Sequence, residues 1–185
     1  WAAVNAVSSA AGNDTNDSSL TTTAGDIGGG TITAGAANDV TLTDGGASTE
    51  DGQPATLVSA DVMAATASGP ITLDTTLATA NLASTNAGAI DVDETDAITL
   101  QRVVTNDGTI TIDAGGTLAA VNVDSSATDN DTNDISLTTT AGDIGVVTIT
   151  AGTANDVTLT AAGAITEDGQ PATLVSADVM AATAS

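Results

Sequence analysis

The chain has 185 residues, of which 24 are acidic and only one, Arg102, is basic, so the formal net charge is −23. A surface this acidic excludes nucleic acids and anionic membranes as partners, because both are recognised through lysine and arginine. The absence of cysteine and histidine excludes a disulfide scaffold, thiol nucleophiles and catalytic triads with a histidine base, and no segment is typical of a secretory signal or a transmembrane helix.

Short runs that alternate apolar and polar residues follow one another along the chain. In order they include Val40-Thr41-Leu42, Ile71-Thr72-Leu73, Ile90-Asp91-Val92, Ile98-Thr99-Leu100, Ile110-Thr111-Ile112, Val121-Asn122-Val123, Ile135-Ser136-Leu137 and Val157-Thr158-Leu159. A period of two with many β-branched residues is typical of β-strands. Turn formers such as Asn106-Asp107-Gly108 and Gly115-Gly116 separate the runs. The regular aliphatic pattern favours an ordered chain over a disordered one, despite the high charge.

The chain also repeats itself at long range. Residues 1–68 agree with residues 118–185 at 56 of 68 positions, an offset of 117 residues, and residues 53–68 are identical to 170–185. We therefore interpret residues 1–117 as one repeat unit, and residues 118–185 as a partial second copy continuous with the first. Arrays of this kind are typical of proteins that extend and span.

The composition argues for a thin core. The only aromatic residue is Trp1, whereas a β-sandwich of about 100 residues normally anchors its strands with large buried aromatics. When each strand stacks on the equivalent strand of the neighbouring turn, the strands enclose a narrow core that aliphatic side chains fill without aromatic residues. We therefore predict an all-β parallel β-helix (β-solenoid) with roughly 20–30 residues per turn and about five turns per unit. The expected stack is Leu20, Leu42 and Leu73, then Ile90 or Ile98, and Ile112. Tandem Ig-like or cadherin-like β-sandwiches are the alternative.

Differences between the two copies fall in or beside the strand runs. Ser18 corresponds to Ile135, Ser48 to Ile165 and Gly30 to Val147. The alternation predicts that Ile135 and Ile165 face inward, where each serine-to-isoleucine change adds roughly 1–3 kcal/mol of stability. The identical stretch 53–68, which contains proline, methionine and alanine, is expected to form a wider loop or corner.

Three segments resemble the repeats of a known group of proteins. They are Asn155–Gly169 (NDVTLTAAGAITEDG), Leu137–Gly145 (LTTTAGDIG) and Gly108–Gly116 (GTITIDAGG). Each is similar to the repeats of filamentous-haemagglutinin-like bacterial surface adhesins. The resemblance implies that the solenoid is a right-handed parallel β-helix, and that it lies outside the cell or on the cell surface.

Two acidic clusters are candidate calcium sites, because Ca²⁺ takes six to eight oxygen ligands. The first consists of Asp129, Asp131, Asn133 and Asp134, and the second of Asp91, Asp93, Glu94 and Asp96. The first departs from the calcium-loop signature, which has glycine at position six and glutamate at position twelve, where this chain has Asp134 and Thr140. Alternation places Asp91 and Asp93 on the outer face. The competing interpretation is a solvated acidic surface with diffuse counterions. Calcium is the only cofactor suggested, and none is required.

Other polar features suggest further interpretations. Thr-x-Thr recurs at Thr31/Thr33, Thr41/Thr43, Thr109/Thr111, Thr148/Thr150 and Thr158/Thr160. Outward threonine rows suit an ice-binding surface, but the uneven spacing favours simple β propensity on a wet face. Arg102 is interpreted as a solvated side chain near Asp96 or Asp107, and a role in cutting polysaccharides is the alternative. Asn13, Asn16 and Asn130 begin Asn-x-Ser/Thr sequons.

Taken together, these patterns predict a structural, non-catalytic segment of an extracellular repeat fibre or adhesin stalk. The expected partners are cations, and either other copies of the chain, in head-to-tail or lateral contact, or further repeats of a longer chain. Neither nucleic acid nor membrane insertion is expected. The alternative function is a surface binding module for calcium, glycan or ice.

Overall fold

The computed structural model describes residues 2–3, 6–7, 17–49, 57–167 and 174–185. These residues contain no helix, and their strands form one sheet by parallel pairing. The strands are β1 (Ala2–Ala3), β2 (Ala6–Val7), β3 (Ser18–Thr21), β4 (Ile27–Gly28), β5 (Ile32–Gly35), β6 (Val40–Asp44), β7 (Ser48–Thr49), β8 (Val58–Ala67), β9 (Ile71–Ala87), β10 (Ile90–Glu94), β11 (Ile98–Asp107), β12 (Ile110–Ala114), β13 (Leu118–Ala120), β14 (Val123–Asp124), β15 (Ile135–Thr139), β16 (Ile144–Val146), β17 (Thr148–Thr150), β18 (Val157–Ala161), β19 (Ile165–Glu167), β20 (Leu174–Ser176) and β21 (Met180–Ala184). The chain is a parallel β-solenoid, as predicted.

Each turn of the solenoid lays strands on three faces. Face 1 carries β4, β7, the start of β9, β10, β12, β15, β18 and β21. Face 2 carries β5, the start of β8, the middle of β9, the start of β11, β13, β16 and β19. Face 3 carries β3, β6, the ends of β8, β9 and β11, then β14, β17 and β20. The long strands β8, β9 and β11 therefore pass round corners between faces.

Inward side chains form aliphatic columns that run along the axis. On face 1 the column is Ile27, Ser48, Ile71, Ile90, Ile110, Ile135, Val157 and Met180. On face 3 it is Leu20, Leu42, Ala65, Leu82, Val103, Val123, Ile149 and Val175. Most of these side chains are buried in one continuous core. Stacked aliphatic residues thus fill an interior without aromatic residues.

The face 1 column also gives the length of each turn. Its members from Ile27 to Met180 are 19 to 25 residues apart, so the turns lie at the short end of the predicted range. The predicted stacking of Leu73 on Leu42 is wrong. Leu42 pairs with Ala65 on face 3, whereas Leu73 pairs with Val92 on face 1. Because every turn contains aliphatic runs on three faces, an approximate turn length does not reveal which run stacks on which.

The 117-residue repeat does not correspond to a whole number of turns. Five turns along face 1 lead from Ile27 to Ile135, and Ile144, the repeat equivalent of Ile27, follows on face 2. In the same way Leu42 lies on face 3, but its equivalent Leu159 lies on face 1. One unit therefore advances five and one-third turns, and the same sequence lies one face further on in the second copy.

The copies differ in their cores as the alternation predicts. Ile135 is buried in the face 1 column, and Ile165 packs against the core from face 2. Of the expectation of a loop or corner at 53–68, the described part confirms the corner but not the loop, because Val58 pairs on face 2 and Met63 pairs on face 3. Residues 58–67 form strand β8, in which Met63 is fully buried. Alternating small residues in this stretch suit the inside of a narrow coil, which the proline and methionine had obscured.

Candidate functional sites: the acidic ladder and the acidic loop

An acidic ladder lies on the outside of face 1. Asp74, Asp93 and Asp113 occupy the same register position on three successive turns, and adjacent strands of a sheet lie about 4.8 Å apart. Asp91 is two residues before Asp93, and both side chains are exposed while their neighbours Ile90 and Val92 are buried. Partial burial, followed by the negative charges of Asp93 and Asp113, raises the pKa of Asp91. The outer face therefore concentrates like charges that favour bound cations.

Glu94 does not join this ladder, because its side chain points inward and is buried. Its carboxylate accepts hydrogen bonds from the Thr75 hydroxyl at 2.8 Å and from the N–H groups of Leu77 at 3.0 Å and Asp96 at 3.2 Å. Burial raises the pKa of Glu94 above its ordinary value despite these donors. Glu94 closes the corner between faces 1 and 2, whereas Asp96 remains exposed.

The first predicted cluster, Asp129, Asp131, Asn133 and Asp134, forms an acidic loop whose side chains point in different directions. Asp129 accepts hydrogen bonds from the hydroxyl and the N–H of Thr153 and the N–H of Ala154, one turn further on. The Thr153 hydroxyl and then the Ala154 N–H lower the pKa of Asp129. Asp131 is exposed and has a left-handed backbone with φ of 63°. Asn133 is buried, and Asp134 accepts the N–H of Asp156 at 2.9 Å.

The described residues contain no group of three or more acidic, histidine or cysteine side chains arranged to hold a metal ion. In the acidic loop, the oxygens of Asp129 and Asp134 already accept hydrogen bonds from the neighbouring turn. Calcium binding at either cluster stays a prediction. The second cluster is the better placed of the two, because Asp91 and Asp93 are exposed on the outside of face 1 beside Asp113 of the ladder.

An Asn-Asp pair at one corner, which the sequence interpretation missed, links successive turns. Asn155 is fully buried, donates to the Ala151 carbonyl at 2.7 Å and accepts the Asn133 N–H at 2.9 Å. Asn38 likewise donates to the Ala34 carbonyl at 2.7 Å. The signal was present in the sequence, since Asn-Asp directly precedes a strand run at 38–39, 133–134 and 155–156, and the last two pairs are one turn apart.

The aspartate of each pair ties its turn to the next one. Asp17 accepts the Asp39 N–H at 3.0 Å, and Asp39 accepts the Val62 N–H at 3.2 Å. In the second copy Asp156 accepts the Val179 N–H at 3.1 Å. These carboxylates continue the hydrogen-bonding ladder where the backbone turns a corner. Several acidic residues are therefore structural acceptors as well as surface charges.

A second buried carboxylate, Asp44, lies within the core of the first copy. It accepts hydrogen bonds from the N–H groups of Ile27 at 2.7 Å and Gly46 at 2.8 Å, and from the hydroxyls of Thr22 at 2.7 Å and Ser48 at 3.1 Å. Burial alone would raise the pKa of Asp44, but these four donors outweigh it and the pKa is lowered. The second copy has Ala161 and Ile165 in place of Asp44 and Ser48.

The remaining candidates are spread over the surface. The Thr-x-Thr pairs lie on face 2 (Thr31/Thr33), face 3 (Thr41/Thr43 and Thr148/Thr150) and face 1 (Thr109/Thr111 and Thr158/Thr160). Arg102 is exposed on face 3 and lines a shallow groove that includes Asp124 but neither Asp96 nor Asp107. Asn130 is exposed, and Trp1, Asn13 and Asn16 lie outside the described residues.

No helix among the described residues is long and apolar enough to cross a membrane. Comparisons of the chain with protein-family models, with curated proteins and with solved structures gave no match.

Proposed function

We propose that the protein is a structural segment of an extracellular repeat fibre or adhesin stalk, and that it works without catalysis. The observation that carries this proposal is the continuity of the ladder. Strand pairing and core columns pass from β11 and β12 in the first copy to β13 and β15 in the second, so they run through the junction of the two copies without a break. A unit of this kind extends a rod each time it is added.

The mechanism is mechanical. Backbone hydrogen bonds join each turn to the next on three faces, and corner aspartates such as Asp39 and Asp156 add a bond where the backbone turns. A pull along the axis therefore loads many parallel hydrogen bonds at every turn, together with the stacked aliphatic core. Outward threonine, asparagine and aspartate keep the rod hydrated and attract cations.

The proposed location and adhesive role rest on the resemblance to filamentous-haemagglutinin-like repeats. Two properties of the chain fit that location: an acidic surface tolerates salt and calcium, and the single basic residue leaves trypsin-like proteases almost no sites. Calcium binding is the second candidate function, and the in-register carboxylates Asp74, Asp93 and Asp113 favour it. Glycan and ice binding remain further alternatives.

Chains of one, two and three tandem 117-residue units test the structural role. Each unit should add about 26 Å to the length of a rod of constant width, from five and one-third turns of about 4.8 Å. Electron microscopy and small-angle X-ray scattering measure both dimensions. Particles that widen or form separate beads with added units would contradict the proposal. Saturable binding of the same chains on a glycan array would favour a binding module instead.

A further inference from the structure

The C-terminal end of the solenoid exposes apolar side chains that the first copy covers. Leu174, Val179 and Met180 have exposed fractions of 53%, 54% and 48%. Their equivalents belong to the identical stretch 53–68, in which Met63 has an exposed fraction of 0%. Two identical sequences therefore differ in whether a further turn lies on them.

In the first copy, strand β9 is the covering turn. Ile71 pairs with Ser48, Thr75 pairs with Val58, and Ala80 to Ser84 pair with Met63 to Ala67. The segment that includes this turn, residues 69–87, contains one acidic residue, Asp74, in an otherwise strongly acidic chain. This turn therefore buries the apolar side chains beneath it while adding little repulsion between like charges.

We propose that the C-terminal edge, formed by β19, β20 and β21, is a docking edge for a coil with the sequence of residues 69–87. This inference rests on the proposed function, since such a coil is the next part of an extending array. Because the edge repeats the sequence that β9 covers, the first copy gives its register. The incoming Ile71 equivalent stacks on Ile165, and the Ala80–Ser84 equivalents stack on Met180–Ala184.

The docked coil begins on a different face from its counterpart in the first copy. Ser48, the register partner of Ile71, lies on face 1, whereas the repeat equivalent of Ser48, Ile165, lies on face 2. Stacking isoleucine on isoleucine there also buries more apolar surface than isoleucine on serine. The first copy thus specifies the sequence of the docked coil, its register on the edge and the face of the solenoid on which it begins.

Oxidation of methionine tests whether the edge is covered. The chain contains only Met63 and Met180, so Met63 is a buried internal reference. We compare the full chain with a chain lengthened by a second copy of residues 69–117 after Ser185. Mass spectrometry should show that the added coil slows peroxide oxidation of Met180 about tenfold or more, because sulfoxide formation follows exposure. A Leu82→Asp change in the added coil should restore fast oxidation. Equal rates in both chains would overturn the proposal, as would concentration-dependent protection of the unextended chain, which identifies a second copy as the cover.

Engineered cysteine pairs test on which face the docked coil begins, since the chain has no cysteine of its own. Cysteine at Thr166 should form a disulfide with cysteine at the added Thr72 copy, as the register partners Thr49 and Thr72 should when both are changed in the first copy. Adjacent strands at about 4.8 Å suit a disulfide. A disulfide from the added position to Ala181→Cys on face 1 would instead show docking without the rotation and overturn the inference. Rod length in the same chains reports the proposed function separately.

Discussion

Replacing Asp44 and Ser48 together by the residues of the second copy should stabilise the first copy, although Asp44→Ala alone should destabilise it. Ser48 is fully buried between Ile27 and Ile71 in the face 1 column, and its hydroxyl donates to Asp44. A cavity of about 20 Å³, lined by Ile27, Ser48 and Leu73 among others, lies beside it. Isoleucine at position 48 therefore gains room as well as apolar neighbours.

The magnitudes follow from the hydrogen bonds. Without the Asp44 carboxylate, Ile27 still donates to the Ala47 carbonyl and Thr22 to the Gly25 carbonyl. The Gly46 N–H is part-buried and has the route used by its equivalent Gly163, which donates to Gly142, so the lasting loss is that of the buried Ser48 hydroxyl, which costs about 1–3 kcal/mol. In the double variant the Ser48 hydroxyl is gone as well, so this buried donor is no longer left without an acceptor. Burying isoleucine then contributes about 1–3 kcal/mol.

Urea unfolding of the wild type, both single variants and the double variant measures this coupling. We expect Asp44→Ala to lose stability, Ser48→Ile to be close to neutral, and the double variant to exceed the wild type, with a coupling energy of about 2 kcal/mol or more. The lowered pKa of Asp44 adds a pH signature. Its native state binds fewer protons than the unfolded state, so its contribution is present above the usual value of 3.8 and is lost as the pH falls through the lowered pKa. The double variant should lack that acid loss. Additive effects, or a double variant weaker than Asp44→Ala, would refute the reasoning.

Three further predictions concern the carboxylates and the buried corner. Because the pKa of Glu94 is raised, the wild type should lose stability as the pH rises through that raised pKa. Glu94→Gln should remove this loss when melting temperatures are measured from pH 3 to 8. Parallel pH dependences of the two proteins would show that Glu94 does not titrate in this way. Asp93→Asn should stabilise the ladder by about 0.2–1 kcal/mol at 10 mM salt, and by less at 150 mM, where screening is stronger. If calcium occupies the ladder, EDTA at fixed ionic strength should lower the melting temperature of the wild type. An unchanged melting temperature would exclude calcium. Asn155→Ala should cost about 2–4 kcal/mol in urea unfolding, because the Asn133 N–H and the Ala151 carbonyl lose their partners; a cost below about 0.5 kcal/mol, the level typical of surface changes, would contradict this role.

The strand periodicity was sufficient to predict the fold class, because inward aliphatic residues and outward polar residues alternate in runs such as β10 and β12. It also placed Asp91 and Asp93 correctly on the outer face. The stacking order was not predictable in the same way. Leu42 and Leu73 have similar local patterns, and only the path of the chain through the corners assigns them to different faces.

The sequence did not reveal which polar residues of the candidate sites face inward. Glu94 follows the alternation of β10 and lies inside, but its charge suggested a surface position. Asn133 resembled a calcium ligand because carboxylates surround it in the sequence, yet it is a buried link to Asn155 in the next turn. Both residues bond to partners 17 to 22 positions away, and a pattern of nearest neighbours along the chain does not reveal such partners.

The displacement of the repeat by one face affects how a long array would bend. Identical residues such as Leu42 and Leu159 lie on face 3 and face 1 in successive copies, so a third unit would bring the same sequence to the remaining face. Any local softness in the sequence that the copies share would then occur on each side of the rod in turn. Over three units the weak directions average out, and the rod would resist bending equally in all directions. Its stiffness would thus be isotropic although no single turn is symmetric.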